Sequence, residues 1–332
     1  MICELEDKIF DVQRYGFEQL ALELFALQSR ENIVYRSFID ALNVDPAAVK
    51  DVASIPFLPV SCFKSHKVVT GDFTPGITFE SSGTTATGNS RHFVKSAALY
   101  KRSFTEAFKR FYGDPSDWCI LGLLPSYLER GNSSLVMMVK DLIELSAQAD
   151  SGFYLYNHDQ LAAVLRKNEI ASRKTLLVGV TFALLDFAER FPMPLKHTVV
   201  METGGMKGRR KEITRPEVHD MLCHAWQLNS IHSEYGMTEL LSQAYSSGNG
   251  IFRCPPWMKV VLREEDDPLN VYPEASRKTQ NGLINVIDLA NIHSCAFIAV
   301  DDIGRLYPDG SFEVLGRMDS SDVRGCSLMY NM

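Results

Sequence analysis

Apolar residues recur at spacings near three, four and seven at Ile9, Val12, Phe17, Leu20, Leu24 and Leu27, with charges between them. That period is the one-sided stripe of an amphipathic helix, so the chain is expected to open in helix. Tyr35 to Ala41 extends the pattern, and Asp45-Pro46 places a capping side chain before a proline at a first helical position. Ile55-Pro56-Phe57-Leu58-Pro59-Val60 breaks it: two prolines remove donors, so an extended connector is expected. Short β-type runs follow at Ile77-Thr78-Phe79 and Arg91 to Val94, then a helical pattern from Ser96 to Phe111.

From there strands and helices alternate. Strands are expected at Trp118–Leu124, Gly152–Tyr156, Leu176–Val180, Thr198–Met201 and Ile231–Tyr235. Helices are expected at Ser133–Ala147, Asp159–Lys167, Phe182–Arg190 and Pro216–Trp226. Alternation of this kind implies right-handed crossovers and a mainly parallel sheet in an α/β fold, with ligands collecting beyond the carboxyl ends of the strands. After about Ser246 the chain turns loop-rich, with Pro255-Pro256 and the Pro273–Gly282 stretch. Strands are then expected at Leu283–Leu289, Ala296–Val300 and Phe312–Leu315, with a turn at Pro308-Asp309-Gly310. The expected organisation is a helical segment (1–55), an α/β core (56–246), a β-rich subdomain of the same core (247–316) and a tail (317–332).

Composition narrows the class. A chain of 332 residues with 45% hydrophobic content can bury a full core. Its net charge of −7 gives no basic surface for nucleic acid. The local basic run Lys207–Lys211 reads as a solvated loop or as a contact for a phosphorylated ligand. No secretory leader and no apolar run long enough to span a membrane stands out. The seven cysteines are scattered without a C-x-x-C pair, so neither a disulfide framework nor a zinc site is expected, and a cytoplasmic protein with reduced thiols is.

Candidate chemistry starts with Ser81-Ser82-Gly83-Thr84-Thr85-Ala86-Thr87-Gly88, between two β-type runs. Glycine lets a backbone approach phosphate, and successive N–H groups and hydroxyls can donate to it. The alternative is a flexible hairpin loop. The Walker pattern G-x-x-x-x-G-K-[ST] is absent. In Tyr235-Gly236-Met237-Thr238-Glu239, Thr238 can meet a phosphate oxygen while Glu239 holds Mg²⁺, or the two can open a helix as cap and dipole partner. Asp302, ahead of Ile303-Gly304-Arg305, can accept from both hydroxyls of a ribose or merely serve a turn. Tyr235 can lie against adenine or belong to the core. Gly204 and Gly205 can admit an adenine edge or form a simple turn.

The order of Ser81-Ser82-Gly83-Thr84-Thr85, Thr203-Gly204-Gly205, Tyr235-Gly236-Met237-Thr238-Glu239, Asp302-Ile303-Gly304 and Gly316-Arg317 resembles the adenylate-forming superfamily of acyl-CoA synthetases, luciferases and adenylation domains. Within it the chain is most similar to the acyl-protein synthetase subunit of bacterial fatty acid reductase. That narrower likeness is carried by Leu124 to Arg130, Ser233 to Gln243 and Arg324-Gly325-Cys326-Ser327-Leu328. The resemblance covers about Pro56 to the end. It implies the superfamily's large-domain fold and an enzyme that uses ATP and Mg²⁺ to activate a carboxylic acid, a fatty acid in that subgroup, with a reductase subunit as partner. Ser81, Ser82, Gly83, Thr84, Thr85 and Gly88 would hold the ATP phosphates. Thr238 would contact the α-phosphate and Glu239 Mg²⁺. Tyr235 and Gly205 would contact the adenine, Gly204 and Gly236 would belong to the same cofactor site, and Asp302 and Arg317 would bind ribose. Most members continue past the Gly-Arg motif into a mobile lid with a catalytic lysine. The sequence ends at Met332, so the large domain is expected without that lid.

The resemblance also implies transfer of the acyl group to a cysteine near the C-terminus, which is Cys326 here. A thiolate is a strong nucleophile for an activated acyl group. The alternative for Cys326 is a buried, inert thiol in a terminal strand. Two rival functions remain open at this stage: a ligase that delivers to a soluble thiol or amine, and a non-catalytic nucleotide-binding protein.

Overall fold

A computed structural model of the protein describes residues 2–81, 88–125, 131–204, 213–265, 267, 269–272 and 278–318. The chain opens in helices Ile2–Lys8, Val12–Tyr15, Phe17–Glu31 and Ile33–Ala41. The expected stripe is therefore cut at Gly16, whose φ of 80° a side chain would resist. Leu20, Leu24 and Leu27 of the third helix are buried, as their spacing requires. Asn32 caps the fourth helix by accepting from the Tyr35 N–H. Asp45-Pro46 begins only a single 3₁₀ turn, Pro46–Ala48.

One large sheet organises the rest. Its parallel half has Gly152–Phe153 at the edge, then Cys119–Leu123, Thr175–Val180, Thr198–Thr203 and His232–Tyr235. Its antiparallel half continues with Ala244–Ser246, Ile251–Arg253, Phe312–Arg317, Phe297–Leu306, Gln280–Asp288 and Met258–Arg263. The proline-bracketed connector contributes a two-residue parallel pairing, Leu58–Pro59 against Ile298–Ala299. Val60, past the second proline, donates to the Ala299 carbonyl.

The expected α/β alternation is present, with helices Ser134–Ser146, His158–Ile170, Thr181–Arg190 and Arg215–Trp226 between the parallel strands. A full capping box starts the last of these: Thr214 and Glu217 bond reciprocally, with Pro216 in the first turn. Strand Ala244–Ser246 is not among those expected, and strands Ile251–Arg253 and Met258–Arg263 lie in the stretch that reads as loop-rich. They are short, and the prolines 255 and 256 fall in the connection between the last two rather than inside either. A separate hairpin pairs Ile77–Glu80 with Arg91–Val94.

The amino-terminal helices are tied to the far end of the chain by buried polar groups. Gln28 is fully buried. Its Nε2 donates to the Asn291, Ile292 and Ser294 carbonyls at 2.9, 3.2 and 3.2 Å, and its Oε1 accepts from the Ala296 N–H at 2.9 Å. Asn32 adds a bond to the Ser294 carbonyl at 2.9 Å. Tyr35, Phe25 and Phe57 all pack against Phe297. Among the described residues, no helix is long and apolar enough to cross a membrane.

Removing one partner leaves several backbone groups buried without a bond, at about 1–3 kcal/mol each before relaxation. Gln28→Ala is therefore expected to cost at least about 2 kcal/mol of unfolding free energy. Gln19→Ala on the exposed side of the same helix should cost under about 0.5 kcal/mol. Urea unfolding of the two variants checks this, and equal losses would contradict it.

Candidate active site

The carboxyl ends of the Thr198–Thr203 and His232–Tyr235 strands lie side by side, with Thr203 in register with Glu234. The chain turns at Gly204, where φ is 74°, and after Tyr235 it enters the Gly236–Glu239 segment. No helix starts at Thr238. Turns follow, leading to the Ala244–Ser246 strand, so capping does not explain this threonine–glutamate pair.

Three sets of contacts fix this segment. From below, Asp288 is fully buried and accepts from the Leu241 N–H (2.8 Å), the Ser242 N–H (2.9 Å) and the Ser242 hydroxyl (2.6 Å). Burial pushes its carboxyl up to about 6, with those bonds opposing. Asn291 Nδ2 donates to the Glu239 carbonyl at 2.8 Å. From the hairpin, His92 Nδ1 lies 2.9 Å from the Thr238 carbonyl. Burial lowers the His92 pKa to about 4, against the pull of that carbonyl, so the ring is neutral at pH 7 and carries the Nδ1 proton it donates.

The hairpin in turn bases the serine–threonine loop. Ser81 N–H donates to the Ser90 carbonyl at 3.0 Å, and Ser81 Oγ accepts from the Ser90 N–H at 2.9 Å. Ser90 also reaches Glu239, where its hydroxyl favours the ionised carboxylate. The hairpin thus brings the base of the 81–88 loop to Glu239. Gly88 is exposed at φ 85° with open space around a would-be Cβ. Ser82, Gly83, Thr84, Thr85, Gly205 and Cys326 lie outside the described residues.

Glu239 is 6% exposed, and burial raises its pKa. Ser90, its own backbone N–H, Arg317 and Lys64 oppose that shift. Among the described residues it forms no ion pair, and no cluster of three or more metal-ligating side chains occurs. A lone buried carboxylate suits Mg²⁺, which keeps waters and takes substrate phosphate oxygens rather than an all-protein cage.

Asp302 approaches from the antiparallel half of the sheet. Tyr235 donates its hydroxyl to Asp302 Oδ2 at 2.9 Å, and Arg317 stands opposite Asp302 across the strand pair. Burial raises the Asp302 pKa, opposed by Tyr235, Arg317 and Arg215. Arg317 itself is exposed and acts on Tyr235, Glu239 and Asp302 together. The Tyr235 ring is largely buried edge-on against Phe312 and Phe252, at 5.4 and 5.9 Å. Its ring packs as the core reading expects, while its hydroxyl reaches Asp302.

Sequence reading missed the acidic layer beneath the strand ends. Glu202 Oε2 accepts from the Thr181 hydroxyl at 3.1 Å, and Glu202 Oε1 lies 3.3 Å from Arg215 Nε and 3.6 Å from His219 Nε2. Glu234 Oε2 accepts from the Thr203 hydroxyl at 2.5 Å. Burial, with Glu202 nearby, lifts Glu234 to about 7, against the Thr203 bond. Strand alternation placed Glu234 on the face opposite Tyr235, but no pattern marks a partner across two strands. A cleft of about 320 Å³ lined by Trp118, Lys174, Val199, His232, Tyr245 and Arg253 opens at the other, amino-terminal ends of the parallel strands.

The Glu234 shift has a consequence for stability. A carboxyl whose folded pKa lies above its unfolded value binds a proton on folding between the two. Its contribution is fully present below the ordinary 4.5 and is lost as pH rises through about 7. Glu234→Gln should therefore gain stability relative to wild type progressively over that window and hold a constant difference above it. Thermal melts of both proteins across pH test this, and a difference flat from pH 4 to 8 would contradict it.

No family model matches the sequence, and no curated protein sequence matches it either. Solved structures do. A 2-hydroxyisobutyryl-CoA ligase, in a postadenylation state with an adenylate bound, superposes with a TM-score of 0.62 at 12% identity, covering 91% of this chain and 68% of that one. A luciferase-like enzyme from the mealworm Zophobas morio matches at TM-score 0.47 and 14% identity, over 84% of this chain and 62% of that one. The O-succinylbenzoate CoA synthetase of Bacillus subtilis, in complex with ATP and magnesium, matches at TM-score 0.47 and 14% identity, over 74% and 51%. The chain thus spans about half to two-thirds of the length of these proteins. The first likeness establishes the fold: a large sheet flanked by helices, as in the adenylate-forming enzymes that the motifs resemble.

Proposed function

We propose that the protein activates a carboxylic acid with ATP, forming an acyl-adenylate and releasing pyrophosphate. The observation that carries this reading is that one exposed arginine, Arg317, acts on both Glu239 and Asp302, while Ser90 at the base of the 81–88 loop reaches Glu239. Four separated sequence motifs contribute to that one neighbourhood, which suits a ligand with both a ribose and a phosphate chain.

In this reading Asp302 accepts from the ribose hydroxyls and is held for it by the Tyr235 hydroxyl. Tyr235, Gly204, Gly205 and Gly236 border the adenine. Thr238 and the 81–88 loop donate to phosphate oxygens, with His92 fixing the carbonyl of Thr238 so that its side chain is aimed. Glu239 would hold Mg²⁺, which when bound neutralises phosphate charge as a Lewis acid. The substrate carboxylate is its own nucleophile, so positioning and charge neutralisation do most of the catalysis of the activation step.

For the acyl acceptor we propose Cys326, with delivery onward to a partner such as a reductase subunit. The chemistry of the five other cysteines whose side chains are described supports this choice. Burial pushes Cys254 and Cys295 up to about 12 and raises Cys62, Cys119 and Cys223, so all five are poor thiolates at pH 7.

ATP–pyrophosphate exchange against a panel of acids tests the reading. Glu239→Gln is expected to cut exchange on the order of a hundredfold or more. Asp302→Asn is expected to raise the KM for ATP about tenfold or more. Intact mass should show one acyl group, labile to hydroxylamine and absent in Cys326→Ala. No exchange with any acid would overturn the activation step. Exchange with acylated CoA as the product and no acylated protein would replace Cys326 with a soluble thiol.

A further inference from the structure

The cleft at the amino-terminal ends of the parallel strands has no part in the adenylation reading. It encloses about 320 Å³. Three elements shape it: the end of helix Ala97–Tyr112, the starts of the parallel strands, and the antiparallel pair Ala244–Ser246 and Ile251–Arg253. Phe111, Val199 and Ile251 line it half-buried, so apolar surface is left on water there instead of being closed into the core. The aromatic rings around it are held in place. Trp118 Nε1 donates to the Tyr112 carbonyl at 3.0 Å, and the Tyr112 hydroxyl lies 3.1 Å from His232 Nδ1. Tyr112 packs edge-on against Trp118 and Tyr245, with centroids 6.1 and 5.5 Å away, and Phe111 lies 5.1 Å from Tyr245. The polar ends of Trp118 and Tyr112 are thus spent on neighbours, and their rings stand as an apolar wall before any ligand arrives.

The charge around the cleft is one-sided. Lys174 and Arg253 line it, and among the described residues no carboxylate does. Arg253 is paired with Asp309 at 2.9 Å. Lys174 is exposed, and its Nζ stands 4.2 Å from the centroid of the Trp118 ring. It forms no ion pair among the described residues. Burial lowers the His232 pKa, so that ring is neutral at pH 7 and adds hydrogen-bonding capacity without charge. One uncommitted cation beside an aromatic wall matches one negative charge on an aromatic body. A polyphosphate would bring several charges to that single cation, and an amine would meet it as a like charge.

We propose that this cleft is a second small-molecule site, which takes an aromatic monocarboxylate with its ring among Phe111, Trp118 and Tyr245 and its carboxylate on Lys174. The strand His232–Tyr235 starts at the cleft and ends at the proposed nucleotide site. The two sites therefore lie at opposite ends of one strand, and each can be filled while the other is occupied. Binding in the cleft requires nothing of the adenylation reaction.

The test titrates 3-phenylpropionate into the full chain and follows tryptophan fluorescence. Of the three tryptophans, Trp226 and Trp257 are fully buried and do not line the cleft, so Trp118 is the reporter. A saturable change is expected, and it should vanish in Trp118→Phe. 3-Phenylpropylamine, the same ring with the opposite charge, should bind about tenfold or more weakly. 3-Cyclohexylpropionate, the same charge without the aromatic ring, should bind about threefold or more weakly. Lys174→Met keeps an apolar stem over Trp118 and should weaken 3-phenylpropionate about tenfold, with Lys174→Arg restoring it. Saturating ATP with magnesium should leave the affinity unchanged. No saturable change below about 10 mM overturns the proposal. So does equal binding of the acid and the amine, an affinity unmoved by Lys174→Met, or displacement by ATP. The ligand series in the wild type decides the matter even if a variant fails to fold. Loss of pyrophosphate exchange with every acid would remove the adenylation reading and leave this result standing.

Discussion

The site depends on a buried carboxylate that forms no ion pair among the described residues. Asp288 accepts from two backbone N–H groups and a hydroxyl of the Leu241–Ser242 turn, three residues past Thr238, and from the Ala290 N–H of its own loop. Such a group is costly in the interior unless its lone pairs are filled, and here most of those bonds come from the segment that carries Thr238 and Glu239. Asn291 on the same loop holds the Glu239 carbonyl, and Gln28 holds the Asn291 carbonyl. The chain of contacts therefore runs from the amino-terminal helices through the loop after the Gln280–Asp288 strand to the turn bearing Thr238 and Glu239. The helices that begin the protein brace the turn without bearing any of the residues proposed to touch substrate.

Legibility of the sequence followed the physics of each element. The parallel strands and their helices were readable because periodicity reports burial locally: Cys119–Leu123 and Thr175–Val180 are buried at every position and read as apolar runs. Ile251–Arg253 and Met258–Arg263 were not, because they lie between turn-rich stretches and are held by pairing with Phe312–Arg317 and Gln280–Asp288, far along the chain. The site motifs were readable as an ordered set. What local pattern cannot give is the partner of a polar side chain across the sheet. Asp288, Asn291 and His92 fix the motif turn, yet each looks like an ordinary residue of a strand or loop until the 238–242 segment is laid beside it.

Two layers of charge follow from the alternation of side chains along the His232–Tyr235 strand. Tyr235 faces one side and joins Asp302 and Arg317, where a ribose and phosphates would lie. Glu234 faces the other and joins Thr203, Gln243 and the tyrosines of the neighbouring helix and strand.

The most direct test of the central claim is a crystal structure of the full chain with magnesium and a non-hydrolysable ATP analogue. The account requires the ribose hydroxyls on Asp302, the phosphates between the 81–88 loop and Thr238, and the metal on Glu239. A nucleotide bound instead in the cleft beside Trp118 and Lys174, at the opposite ends of the parallel strands, would contradict it.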